Sequence, residues 1–291
     1  MDIVDTHTHV ISPDAQRYPV DPIGGKQSEW SKVHPVDIEG LVRALDDAGI
    51  ARAVVVQAST VYGHDNRYAA EALRRHPDRF AGVYSIDAMA PDAVERIDHW
   101  QGLGFSGFRL FTTGTTMPGQ ADWLGHEDSF PAWAHADRHD IPVCLQMTIQ
   151  GLPKLRSLLD RFPNVRVLLD HCARPDLSDG RPYHLAEDLF GLAAYPGVHL
   201  KLTHRALSAA EKGASTVREF LTDLVAAYGA NRIAWGSNFP AADGRLPDLL
   251  AEARETVSVL PDADLRQIFG ATAAEFYPGA DHIDAAVLGD V

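Results

Sequence analysis

The sequence predicts a single-domain α/β protein, a closed (β/α)₈ barrel, also called a TIM barrel. Short apolar runs rich in β-branched residues alternate along the 291 residues with amphipathic stretches rich in Ala and Leu, which is the pattern of repeated βα units. The runs are almost continuously apolar, as expected of parallel strands buried on both faces. No G-x-G-x-x-G motif follows the first run, so a doubly wound nucleotide-binding sheet is the less favoured alternative.

The predicted elements follow one another in strict alternation. The strands are predicted at 2–7, 53–59, 80–87, 105–111, 142–148, 165–172, 198–204 and 232–239. The helices are predicted near 36–49, 66–76, 91–102, 128–138, 151–162, 184–194, 214–229 and 246–259. In the stretch 151–162 the residues Leu152, Leu155, Leu158, Leu159 and Phe162 fall on one helical face. We expect residues 1–277 to form the barrel and 278–291 to form a C-terminal tail.

The composition limits the class of function. The chain has 26 Lys and Arg against 40 Asp and Glu, a net charge of −14, with 45% hydrophobic residues. A globular core is therefore expected, and binding to nucleic acid or to an anionic membrane is not. Apolar runs are too short for a membrane span, no secretory signal is visible, and two cysteines fit a reducing compartment. We expect a cytoplasmic protein, with a homo-oligomer left open.

Two connections are unusually long, residues 10–35 after the first strand and 112–127 after the fourth. In a barrel both lie at the C-terminal mouth, where active sites are built. Tyr18, Trp30 and Trp123 in these loops are expected either to cover the site or to pack the loops down.

Histidines end two of the predicted strands at that mouth. His7 and His9 are two residues apart, so both imidazoles are expected to point to the barrel axis. His171 ends the sixth strand and is expected to be a third ligand or a proton-transfer group. Asp170 has the opposite parity and is expected to face outward or to orient a loop. Alternatively, these histidines are hydrogen-bonded side chains at strand ends and have no catalytic role.

A second set of residues suits an anionic substrate. Arg109, Arg174 and Arg205 follow or lie in strands four, six and seven, and a guanidinium can bind a carboxylate through two parallel hydrogen bonds. Ion pairing with local Asp or Glu is the alternative for each. Further hydrogen bonds to substrate are expected from Gln146, at the inward end of strand five, and from two residues after strand two, Tyr62 and Asn66. Cys144 and Cys172 are expected to be structural.

Taken together, the motifs resemble those of the amidohydrolase superfamily. They are H-x-H on strand one, Asp170-His171 with Arg174-Pro175, Lys201-Leu202, Tyr62 to Asn66, Gly107-Phe108-Arg109, and Gly236-Ser237-Asn238-Phe239-Pro240. Their order and spacing from about residue 1 to 277 resemble the amidohydrolase-related branch that contains 2-pyrone-4,6-dicarboxylate lactonase and sugar lactonases. The resemblance implies a TIM barrel that hydrolyses a small anionic lactone.

The resemblance also bears on the cofactor. In metal-dependent members the strand-one histidines, a later histidine and a strand-eight Asp bind a divalent metal; in the pyrone lactonase type an Asp activates water without metal. This chain has Asn238 at the strand-eight position, and an amide is a poor zinc ligand and cannot accept a proton from water. We therefore expect no tightly bound cofactor. The alternative is Zn²⁺ or another divalent metal on His7, His9 and His171, with water as the fourth ligand.

The expected function is that of a hydrolase that opens the lactone of a small organic acid. His7, His9, His171 and Asn238 are the expected catalytic residues, with His7 and His9 at the oxyanion and His171 in proton transfer. One alternative keeps the barrel but isomerises a lactone or decarboxylates an acid. The other is a barrel that binds a ligand without catalysis.

Overall fold

Eight parallel strands form a barrel, in a computed structural model that describes residues 2–114, 117 and 119–277. The strands β1 to β8 pair in chain order and are Val4–Thr8, Arg52–Val56, Phe80–Ser85, Gly107–Phe111, Val143–Gln146, Val167–Leu169, Val198–Leu202 and Ile233–Trp235. Every predicted strand is present, and the predicted barrel is confirmed. The tail predicted at 278–291 lies outside the described residues.

Helices follow the strands and cover the outside of the barrel. The helices α1 to α13 are Trp30–Val33, Ile38–Ala48, Ser59–Tyr62, Arg67–Arg75, Ala93–Gly102, Phe130–His139, Leu152–Arg161, Glu187–Gly191, His204–Lys212, Val217–Tyr228, Leu246–Val257, Asp262–Arg266 and Thr272–Phe276. Each predicted helix has a counterpart, although α8 is shorter than the predicted 184–194 and is flanked by 3₁₀ turns. In the part of the chain that is described, no helix has the length and apolar character needed to cross a membrane.

The ring closes between β8 and β1. The amide of Asn238 donates to the carbonyl of His7 at 2.9 Å, and the amide of His9 donates to the carbonyl of Phe239 at 2.9 Å. Gly236 makes this approach feasible, because a Cβ at that position would lie 2.8 Å from Cβ of His7. The closure therefore brings the H-x-H motif against the strand-eight turn.

Six predicted strands extend further at their C-terminal ends than the observed ones, and three of them, β6, β7 and β8, are followed directly by residues of the site. Strand β6 ends at Leu169 because the backbone turns left-handed at His171, with φ 57°. Strand β8 ends at Trp235, and Asn238 has φ 63°. Strand β7 ends at Leu202 because α9 begins two residues later. At β6 and β8 the positive φ is incompatible with a pleated strand, so the residues after these two strands point in new directions instead of extending the sheet.

The lumen of the barrel is apolar at one end and polar at the other. A cluster separate from the main sheet–helix core fills the apolar end with Val54, Val56, Ala81, Val83, Cys144, Leu168, Phe276 and Tyr277. The backbone carbonyl of Phe276 accepts from Arg166, just before β6, so the C-terminal helix α13 closes the end where the strands begin. The cavity lined by polar side chains lies at the opposite mouth.

Phe276, in the cluster that fills the apolar end of the barrel, is expected to contribute strongly to the free energy of unfolding. Its ring is 2% exposed, and Phe276→Ala should lower the free energy of unfolding by about 3–5 kcal/mol because it removes buried apolar area and leaves a cavity. Urea unfolding followed by circular dichroism measures this. Leu185, 51% exposed, is the control, and Leu185→Ala should change the stability by less than about 0.5 kcal/mol. Equal effects of the two changes would contradict this role of Phe276 in the core.

His199 packs its ring 4.7 Å from that of Phe276 and is expected to make stability pH-dependent. Burial, with the charges of Arg232 and Arg166, lowers its pKa from 6.5 to about 4. A histidine whose folded pKa is depressed contributes stability that is complete above pH 6.5 and is lost as the pH falls toward 4. From pH 7 to pH 5 the wild type should lose about 2 kcal/mol more than His199→Gln. Parallel urea titrations at both pH values that show equal losses would refute this.

Candidate active site

One cavity at the C-terminal mouth collects most of the residues that the sequence singled out. Its walls include these predicted residues: His9, Arg109, Gln146, His171, Arg174, Arg205 and Asn238. His7 lies directly beneath it, with its ring centroid 4.9 Å from that of His9 and 5.1 Å from that of His171. Strands one, four, five, six, seven and eight thus all contribute to a single site.

The three histidines are buried and neutral. Burial lowers the pKa of His7 well below its usual value, and the charge of Lys201 lowers it further. Burial and the charge of Arg109 lower the pKa of His9 to about 3. Burial, followed by the nearby His7, likewise holds the pKa of His171 well below its usual value. The imidazoles are therefore available as hydrogen-bond donors and acceptors rather than as cations.

Below the histidines lies a buried ion cluster around Asp170. Its Oδ2 accepts from Nε and Nη2 of Arg109 at 2.9 and 2.8 Å, and its Oδ1 lies 2.8 Å from Nζ of Lys201. Nδ1 of His7 is 3.4 Å from the same Oδ1. Burial alone would raise the pKa of Asp170, but the charges of Lys201 and Arg109 outweigh it and hold the pKa well below the usual value. The carboxylate is therefore ionised.

The expectation that Asp170 faces outward is wrong. Leu168 belongs to the lumen cluster, so strand alternation sends Asp170 inward as well. His171 nevertheless reaches the cavity because residues 171–174 form a left-handed turn, with φ between 51° and 57°. Three residues complete such a turn, which places His171 and Arg174 on the same side, facing the cavity. Four consecutive non-glycine residues in this region carry strain, a feature that is concentrated at functional sites.

Sequence reasoning missed the central cation of the site. Lys201 is fully buried in β7 and contacts both Asp170 and Nδ1 of His7, at 2.8 and 3.0 Å. A signal for it exists in the sequence. A lysine between Leu200 and Leu202 in a strand predicted to be buried on both faces requires a buried partner.

Asp5 is a second residue that the sequence analysis did not single out. It is fully buried in β1, and its Oδ1 accepts from the backbone amides of His7 and Ser237 at 3.0 and 2.9 Å. Burial raises the pKa of Asp5 to about 6, in spite of these hydrogen bonds and the charge of Lys201. Asp5 therefore fastens β1 to the strand-eight turn beneath the site.

Two arginines at the cavity lack carboxylate partners among the described residues. Nε of Arg174 is buried without a hydrogen-bond partner there, and Arg205 reaches the cavity from the first turn of α9. Burial, then the charges of Arg205 and Arg109, lowers the pKa of Arg174. Arg109 differs from both because Asp170 already neutralises it. The cavity therefore carries positive charge in a protein of net charge −14.

Amide side chains complete the cavity wall. Asn238 adopts the left-handed conformation that Asn tolerates better than most residues. Gln146 is 3% exposed, and its Oε1 has no hydrogen-bond partner in the described part of the chain. An amide offers both a donor and an acceptor, so both residues can orient a polar ligand.

The structure does not bring Tyr62 and Asn66 to this cavity. The hydroxyl of Tyr62 accepts from the amide of Ser12 at 2.8 Å and fastens the first long loop. The amide of Asn66 bonds to both backbone groups of Ser85, at 2.7 and 3.0 Å. Both side chains are buried, Tyr62 at the end of α3 and Asn66 just before α4, and their polar groups bond to backbone groups rather than face the cavity.

Of the three aromatic loop residues, Trp30 alone lines the cavity. Its ring stacks on that of His9 with centroids 5.3 Å apart. Tyr18 is buried and donates to Glu71, and Trp123 packs against the core from a 3₁₀ turn. Both cysteines are buried, with raised pKa values, in accordance with a structural role.

The histidine set does not fit a divalent metal in this arrangement. The described residues contain no group of three or more His, Cys, Asp or Glu side chains placed to hold a metal ion. A histidine that binds metal through Nε2 normally carries its proton on Nδ1 and donates it to a neighbour, whereas Nδ1 of His7 faces the Lys201 ammonium at 3.0 Å. We derive no step through a metal.

Comparison with known proteins concerns the whole chain rather than single residues of the site. A family model described as amidohydrolase matches residues 4–279. The L-fucono-1,5-lactonase of Burkholderia ambifaria is 30% identical over 254 residues, covering 84% of each chain.

Solved structures of similar fold cover nearly the whole chain. A candidate 2-pyrone-4,6-dicarboxylic acid hydrolase from Pseudomonas putida has TM-score 0.77 and 22% identity, covering 96% of this chain and 98% of that one. An amidohydrolase from Burkholderia multivorans with bound zinc has TM-score 0.73 and 22% identity, covering 95% and 99%. A 2,6-dihydroxybenzoate decarboxylase from Rhizobium has TM-score 0.68 and 16% identity, covering 95% and 98%. These likenesses establish the fold.

Asp170 is expected to be essential for stability as well as for the site. Asp170→Asn leaves Arg109 and Lys201 as buried charges without a counter-ion, which should lower the free energy of unfolding by about 3–5 kcal/mol. Asp248, in an exposed ion pair with Arg245, is the matched control, and Asp248→Asn should cost less than about 1 kcal/mol. Urea unfolding of the three proteins gives both values. A loss for Asp170→Asn no larger than the control would contradict the cluster's role.

Proposed function

Because the chain belongs to the amidohydrolase family, we propose that it is a hydrolase that opens the cyclic ester of a small anionic acid. The guanidinium groups of Arg174 and Arg205 lie beside neutral histidines and have no carboxylate partner among the described residues, and this observation carries the proposal. They provide a binding place for a carboxylate. The similarity to a lactonase over 84% of the chain supports the cyclic ester as the bond that is cleaved.

His9 is placed to move the proton in this reaction. Its Nδ1 lies 2.8 Å from the carbonyl of Val56, and a carbonyl only accepts, so Nδ1 carries the proton and Nε2 carries a lone pair. Nε2 takes a proton from water as the water oxygen bonds to the lactone carbonyl carbon. The same proton passes to the ring oxygen when the carbon–oxygen ester bond breaks, and the product is a hydroxy acid. An anionic substrate beside His9 raises its pKa and favours this transfer.

The intermediate bears negative charge on the former carbonyl oxygen. Asn238 and His7 lie on either side of the closure between β8 and β1, and both side chains carry N–H groups suited to stabilise that oxygen. His171, whose Nδ1 is 2.8 Å from Oγ1 of Thr203, remains the second candidate for proton transfer. The proposed reaction uses no metal.

Decarboxylation is the second candidate, since one neighbour of similar fold is a decarboxylase. The same arginines would then hold a carboxylate near the group that leaves as CO₂. A panel of lactones with and without a carboxylate, read with a pH indicator, tests the first candidate because each hydrolysis releases one proton at neutral pH. CO₂ release from an aromatic acid would favour the second. An unchanged product mass would indicate isomerisation, and absence of turnover on both panels would favour a binding protein.

Arg174→Ala should act on substrate binding more than on the chemical step. Loss of a charge-assisted contact to a carboxylate costs about 1.5–3 kcal/mol, so KM for a carboxylated lactone should rise about 10- to 150-fold. For an uncharged lactone of the same ring size, KM should change less than about twofold. Arg205→Ala should show the same selectivity with a smaller rise, because Arg205 is more exposed.

The control for both variants is Arg245→Ala, which removes an exposed guanidinium paired with Asp248. Its KM values should equal those of the wild type for both lactones. If Arg174→Ala and Arg205→Ala leave the preference for the carboxylated lactone unchanged, the proposed carboxylate site is wrong.

A further inference from the structure

The contact between Lys201 and His7 defines where the proton of His7 resides. Nζ of Lys201 lies 3.0 Å from Nδ1 of His7 and 2.8 Å from Oδ1 of Asp170, and all three side chains are fully buried. An ammonium group has three donors and no acceptor. Nδ1 of His7 must therefore be the acceptor, and the single proton of this neutral ring must be on Nε2.

The competing arrangement places the proton on Nδ1 and donates it to Asp170. That contact is 3.4 Å long, against 3.0 Å for the lysine, and a proton on Nδ1 would face the ammonium hydrogens directly. Oδ1 of Asp170, 2.8 Å from Nζ of Lys201, supplies the opposite charge to the ammonium group. Nε2 of His7 is buried and has no partner among the described residues, as expected of a donor that awaits a ligand atom.

We propose that Lys201 is a positioning residue that fixes His7 as the Nε2–H tautomer, so that His7 donates a hydrogen bond to the lactone carbonyl oxygen. His9 has the opposite tautomer, since its Nδ1 donates to the carbonyl of Val56. The two histidines of the H-x-H motif thus divide the work: His7 donates to the oxyanion and His9 accepts the proton from water. The assignment of roles rests on the proposed function, but the tautomer of His7 does not.

Nitrogen-15 NMR of histidine-labelled protein tests the tautomer directly. The wild type should show His7 with a protonated Nε2 and an unprotonated Nδ1, the His7 signals being those lost in His7→Gln. Lys201→Met removes the donor and should move the proton to Nδ1, toward Asp170, whereas Lys201→Arg keeps a cationic donor and should keep the wild-type pattern. A proton on Nδ1 in the wild type overturns the proposal, and so does an unchanged tautomer in folded Lys201→Met.

Kinetics of two His7 variants test the role and do not depend on the folding of the lysine variants. His7→Gln places an amide N–H near the position of Nε2 and should keep kcat within about 10-fold. His7→Met has similar length without a donor and should lower kcat about 10²- to 10³-fold, the usual effect of removing one oxyanion donor, with KM nearly unchanged. Equal losses in the two variants would exclude the donor role. If the wild type hydrolyses no lactone, the proposed function fails, while NMR still decides the tautomer.

Discussion

The site depends on one buried carboxylate. Asp170 joins the side chains of three other strands, through Arg109 on β4, Lys201 on β7 and His7 on β1. Each of these groups would be costly to bury alone, and the carboxylate makes burial tolerable by supplying the opposite charge at 2.8–2.9 Å. The cluster therefore does more than add stability. It links four strands at the base of the cavity. Burial, reinforced by the charges of Lys201 and Arg109, lowers the pKa values of the imidazoles and keeps them neutral.

Left-handed backbone, rather than strand alternation, delivers several groups to the cavity. Residues 171–174 and Asn238 all have positive φ, and each of these turns begins where a strand stops. A strand can present only every second side chain to the lumen. Asp170 points into the lumen at the end of β6, and the left-handed turn that follows brings His171 and Arg174 to the cavity as well. The strain of this turn is tolerated because β6, which it follows, is paired with β5 on one side and β7 on the other.

Charge is distributed unevenly between the site and the rest of the molecule. The chain is strongly acidic, yet the cavity contains guanidinium groups that no described carboxylate neutralises. An acidic exterior disfavours nonspecific binding of polyanions, while the arginines at the mouth favour a small anion that can enter. The histidines beside them are neutral, so they can exchange protons and hydrogen bonds. Imidazolium cations would instead compete with the arginines for the anion. This separation of roles is the basis of the proposed specificity for a small acid.

The sequence by itself determined the barrel and most of the cavity wall. Continuous apolar runs and the helical periodicity of about 3.6 residues depend on local order alone. Residues at the ends of parallel strands must meet at one mouth, and the structure has His9, Arg109, Gln146 and Asn238 in the cavity there. Tertiary structure decided the rest. The direction of His171 depends on a left-handed turn. The partners of Asp170 and Lys201, and the removal of Tyr62 and Asn66 to backbone contacts, depend on residues 19 to 194 positions away in the chain, as in the contacts of Asn66 with Ser85 and of Lys201 with His7. No local pattern encodes such partners, because a buried charge is placed by its counter-charge and not by its neighbours in sequence.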